Sequence, residues 1–135
     1  MRLFPGEEAL MTGDGFSVVP ADGGMLLICG GTCDRADRPL SCRIFPLFPY
    51  VDSAGRVRAV YDPRAWRLCP LARECDRVPL RRDFVRAVRR AGRILMSDPA
   101  CAAFLREQSA EIEELWRLLP PPERAPIARW RLADG

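Results

Sequence analysis

The chain has 135 residues, enough for one domain with a real hydrophobic core and no need of disulfide staples. With 48% apolar and 29% charged residues it is globular in composition, and a net charge of +3 is too small to imply nucleic acid by itself. It contains no histidine, which removes the commonest general base, excludes Ser-His and Cys-His nucleophile pairs, and leaves sulfur and carboxylate as the strong metal ligands.

The first eight residues carry Pro5, Gly6, Glu7 and Glu8 where a secretory signal would carry its apolar core. No run approaches the roughly 18 to 20 apolar residues that cross a bilayer. The expectation is a cytoplasmic protein without a membrane segment, in a compartment where thiols are kept reduced. Residues 5–11 predict a short helix with proline in its first turn and two carboxylates near its N-terminal dipole. Residues 16–19 and 25–28 are β-rich runs separated by Pro20-Ala21-Asp22-Gly23-Gly24, which predicts a hairpin. Its second strand delivers Cys29 into Gly30-Gly31-Thr32-Cys33, where glycines permit tight geometry and amides that point at sulfur. A loop is expected from there to Cys42.

Two prolines exclude a helix between Phe45 and Pro49, so residues 44–50 should run extended, with Phe45 and Phe48 available as shields for the cysteines. Residues 50–51 and 57–61 flank Asp52-Ser53-Ala54-Gly55-Arg56 and predict a second hairpin. After Asp62-Pro63 the chain turns back and presents Cys69. Two amphipathic helices follow, over residues 80–96 with Phe84, Val88, Ala91 and Leu95 on one face, and over 99–119 with Cys101, Phe104, Leu105, Ile112, Leu115 and Trp116 on another. Asp98 before Pro99 is an N-cap and N1 pair. Pro120-Pro121-Pro122 ends the last helix and begins a Pro-rich tail over 120–135. The expected fold is therefore a small α+β domain over 1–119, in which two β-hairpins and a Cys/Pro-rich metal-binding loop accompany a C-terminal helical pair.

The chemistry sits in Cys29, Cys33, Cys42 and Cys69, spaced C-x3-C-x8-C-x26-C. Four thiolates can satisfy a tetrahedral zinc ion or hold the irons of a cluster, a 4Fe-4S centre included. Zinc sites commonly draw ligands as close pairs from both sides, whereas here only the first pair is close, which leans toward an iron-sulfur cluster and keeps zinc as the alternative. Cys101 belongs to the apolar helix face and reads as packing. Cys75, six residues after Cys69, follows Leu71-Ala72-Arg73-Glu74, which looks helical and places it at the surface of a turn; a spare ligand or redox partner is the alternative reading.

The strings Cys29-Gly30-Gly31-Thr32-Cys33, Arg38-Pro39-Leu40-Ser41-Cys42-Arg43-Ile44-Phe45-Pro46 and Cys69-Pro70 resemble the YkgJ-like cysteine-cluster family, a zinc- or iron-chelating domain. The similarity spans residues 29–69, and it implies Cys29, Cys33, Cys42 and Cys69 as ligands; the family's dense cysteine run with two adjacent cysteines is absent here. The domain also occurs in flagellin lysine N-methylases, but this chain has no separate glycine-rich nucleotide motif. Two functions follow as expectations. One is a metal-binding module with a structural, sensing or electron-transfer role, working with a protein partner. The other is a cluster-dependent enzyme for redox or group-transfer chemistry such as protein modification, with Glu7, Asp34 and Asp62 assisting. Arg82, Arg86, Arg89, Arg90 and Arg93 form a basic stripe that could meet phosphate or an acidic partner; it is read first as a face in water or set against Glu107, Glu111, Glu113 and Glu114 of the next helix, and no aromatic residues interleave with it as single-strand binders require. Arg38 and Arg43 bracket the cysteine loop, where they would neutralise thiolate charge.

Overall fold

A computed structural model describes residues 1–73 and 80–118. Cys75, Leu119 and the 120–135 tail lie outside the described residues. The fold is α+β: two antiparallel two-stranded hairpins, short helical turns, and two long helices toward the C-terminus. The chain divides into two compact units, Met1–Ile44 and Phe45–Gly135. Among the described residues no helix is long and apolar enough to cross a membrane.

The first unit is built on the hairpin of β1 (Phe16–Ala21) and β2 (Gly24–Cys29), with Phe16 opposite Cys29 and Ala21 opposite Gly24. The strands run further than the expected 16–19 and 25–28, through Pro20 and Ala21, so only Asp22 and Gly23 remain as the turn, and Gly23 takes φ 78°. The outer edge of β2 is covered by the N-terminus: the Leu3 amide donates to the Met25 carbonyl at 2.9 Å and the Leu27 amide to the Met1 carbonyl at 2.8 Å. This buries Leu3, Phe4 and Leu27. The short helix expected over 5–11 is a 3-10 turn at Glu7–Leu10. A second 3-10 turn at Arg35–Asp37 leads into α1 (Leu40–Ile44).

In the second unit, β3 (Leu47–Val51) pairs with β4 (Val57–Tyr61), and every residue of β3 is buried. Proline inside a buried strand is tolerated here for a reason of register. The Val51 amide donates to Ser109 Oγ at 2.9 Å rather than to β4, so alternate residues on that side of β3, Pro49 included, face away from the ladder and Pro49 forfeits no strand bond. The turn is organised by Asp52, whose carboxylate accepts from the amides of Ala54 at 3.0 Å and Arg56 at 2.9 Å, with Gly55 at φ 76°. A 3-10 turn at Pro63–Ala65, capped by Asp62, and α2 (Pro70–Arg73) follow.

Helices α3 (Arg82–Leu95) and α4 (Pro99–Leu118) pack on this hairpin. Asp98 caps α4 as expected, accepting from the Cys101 amide at 2.8 Å. Leu105, Ile112 and Trp116 enter the core, as does Gln108, only 1% exposed and satisfied by Arg64 and Glu111. Arg64 reaches Gln108 Oε1 at 2.9 Å while forking onto Asp62 at 2.7 to 3.1 Å.

Candidate metal centre

Cys29, Cys33 and Cys42 all belong to the first unit and are set around one loop. Strand β2 ends at Cys29, which is exposed. Gly31 adopts φ 95°, a conformation that suits glycine, and its amide donates to Cys29 Sγ at 3.4 Å. The amide-to-sulfur geometry expected of the Gly30-Gly31 pair is therefore present. The Gly30 amide in turn donates to the Gly15 carbonyl at 3.4 Å. A Cβ at either Gly30 or Gly31 would meet nothing within 4 Å, so this stretch lies in open space.

Beyond half-buried Cys33, Asp34 accepts from the Ala36 amide at 3.1 Å and caps the 3-10 turn. Arg43 then draws the loop together: its guanidinium donates to the carbonyls of Arg38 and Ala36, both at 2.7 Å. Arg43 thus acts through backbone bonds, not as a bare counter-charge to sulfur. Cys42 was expected in a loop, but it sits in the middle of α1. The reason is a distant carboxylate. Glu7 accepts from the Phe4 amide at 3.0 Å with one oxygen and from the Leu40 amide with the other, satisfying a first-turn N–H of α1 that local sequence leaves without a partner.

Burial pushes the Cys42 thiol above its ordinary pKa; Cys33 and, less strongly, Cys29 add to the rise, while the Met1 α-ammonium and Arg38 oppose it. Cys33 and Cys29 thus lie near enough for their charge to act on Cys42. The described cysteines are all free thiols. Among the described residues no three Cys, Asp or Glu side chains are arranged closely enough to hold a metal ion.

Cys69 belongs to the second unit, where it is 9% exposed and its amide donates to the Ala65 carbonyl at 2.8 Å. Cys101 is buried on α4, in keeping with a packing role. The three carboxylates considered as catalytic helpers are engaged with backbone: Glu7 at α1, Asp34 at the Arg35–Asp37 turn, and Asp62 at the Pro63–Ala65 turn, where it accepts from the Arg64 amide at 2.9 Å. The contribution of Glu7 and of the Met1 ammonium escaped the sequence reading. Its one available signal was Glu7 following Phe4-Pro5-Gly6, since proline and glycine mark a turn that needs a carboxylate cap. No protein-family model, curated protein or solved structure matches the chain.

Proposed function

We propose that the 29–42 segment is a thiolate metal-binding module that holds an iron-sulfur cluster or a zinc ion. Cys29, Cys33 and Cys42 are its donors, and Cys69 is the fourth on the strength of the sequence spacing and the resemblance to the YkgJ-like family. The observation that carries this reading is the Gly31 amide directed at Cys29 Sγ in the unit that also carries Cys33 and, on α1, Cys42. Amide donors to sulfur stabilise thiolate over thiol and tune a bound centre. The open surroundings of Gly30 and Gly31 leave room for the loop to draw its sulfurs in around an ion. The engagement of Glu7, Asp34 and Asp62 with backbone favours a structural, sensing or electron-transfer centre over an enzyme.

The test is elemental analysis with a visible absorption spectrum on protein purified without oxygen. Several irons with matching sulfide and a brown chromophore support a cluster, and stoichiometric zinc without colour supports a zinc site. Cys42→Ser should lower metal content and stability, whereas Cys101→Ser should leave metal content unchanged. Equal loss from both, or folded protein that takes up neither metal, overturns the assignment.

A further inference from the structure

The second unit carries a cavity of about 440 Å³ beside the β3–β4 turn and the C-terminal half of α3. Arg56, Arg58, Arg89 and Arg93 line it, with Val57 and Met96 as its apolar wall, and no carboxylate among the lining residues. Two elements bring the arginines together: Arg56 directly precedes β4 and Arg58 lies within it, while Arg89 and Arg93, four apart on α3, share a helix face.

Just behind the cavity, one oxygen of Asp52 accepts from Arg56 Nε and Arg58 Nε, each at 3.1 Å. Asp52 is itself held by the amides of Ala54 and Arg56. It therefore fixes two of the guanidiniums that line the cavity. Arg93 is exposed and has no ion pair among the described residues.

We propose that this cavity binds the phosphate chain of a small molecule, a di- or triphosphate. Guanidinium forks match phosphate oxygens in pairs, and the lining brings four of them to one cavity with no carboxylate among its lining residues. The volume falls in the small-molecule range of about 300 to 1,000 Å³. No aromatic ring lines the cavity, so a nucleobase finds no stacking platform and an extended single strand is disfavoured.

The experiment titrates the full-length protein with inorganic pyrophosphate and with tripolyphosphate at fixed ionic strength, followed by calorimetry. Saturable one-to-one binding is expected, weakened about ten-fold or more in Arg89→Gln/Arg93→Gln. Arg82→Gln/Arg90→Gln removes the same charge from the same helix outside the cavity and should leave affinity within about two-fold. Arg93→Glu, a change at an exposed site that leaves the core intact, should abolish binding on its own, with circular dichroism confirming the fold. Equal weakening by both double variants, absence of saturation, or an affinity that grows with the length of a single-stranded oligonucleotide would overturn the proposal.

Discussion

Helix α3 meets the β3–β4 hairpin at Gly92, which is buried. A Cβ at this position would lie 2.5 Å from Pro49 Cβ and 2.7 Å from Val57 Cγ1. Carbon atoms pack at about 3.5 to 4.0 Å, so alanine would have to push the helix off the hairpin by about 1 Å. Val57 can turn its side chain. Pro49 cannot, because the offending atom is fixed to the backbone of a buried strand. On helix propensity alone, Gly92→Ala would gain about 1 kcal/mol. Overpacking a filled core costs about 1 to 3 kcal/mol, and the upper end applies where the obstructing atom cannot rotate away. The net expectation is a loss of about 2 kcal/mol. Urea denaturation followed by circular dichroism would show it as a lower midpoint with unchanged slope, and heating as a melting temperature about 6 to 8 °C lower. Adding Val57→Ala to Gly92→Ala removes one of the two clashes and should recover stability only in part. A Gly92→Ala protein as stable as the parent, or more so, would refute this packing of α3 on the hairpin.

Asp52 is held at a pKa of about 2, chiefly by the Arg56 amide and further by the guanidiniums of Arg58 and Arg56, against an unfolded value of about 3.9. A lowered folded-state pKa contributes stability that is present above the unfolded value and is lost as pH falls through the folded one. The stability difference between the parent and Asp52→Asn should therefore hold constant near neutrality and shrink between about pH 4 and pH 2, measured by urea titration at each pH; a difference flat across that window would show that the turn does not depend on the ionised carboxylate. Arg64→Ala takes the partner from buried Gln108 Oε1 and should cost about 2 kcal/mol in the same assay. Arg64→Lys should restore only part of it, because an ammonium cannot fork across Asp62 and Gln108 at once, and a loss below about 0.5 kcal/mol would mean that solvent screens the contact.

What the sequence made legible was whatever its own neighbours determine. Both hairpins follow from apolar, strand-favouring runs around Asp22-Gly23 and Asp52-to-Arg56, both long helices from apolar spacing, and the Asp98 cap from its place before Pro99. The Gly31 amide on Cys29 is likewise a bond across two residues, and glycine beside cysteine announces it. What stayed hidden depends on partners far along the chain. Cys42 lies in a helix because Glu7, 33 residues before Leu40, supplies a missing acceptor. Pro49 can occupy a buried strand because its edge faces α4 and not β4, and no local pattern states which edge that is.

The arginine stripe of α3 shows the same division most clearly. Read along the helix alone, Arg82 to Arg93 is a charged face in water. Gly92 changes its meaning: by lacking a Cβ it lets α3 come close to Pro49 and Val57, and that approach is what places Arg89 and Arg93, three residues before it and one after, across a cavity from Arg56 and Arg58. Val57 lies both under Gly92 and in the cavity wall. A single small residue in the last turn of a helix, costly by propensity, thus accounts for a packing contact and a convergence of positive charge together. It separates two kinds of arginine that the sequence writes identically: Arg89 and Arg93, which line the cavity with Arg56 and Arg58, and Arg82 and Arg90, which stand outside it in solvent.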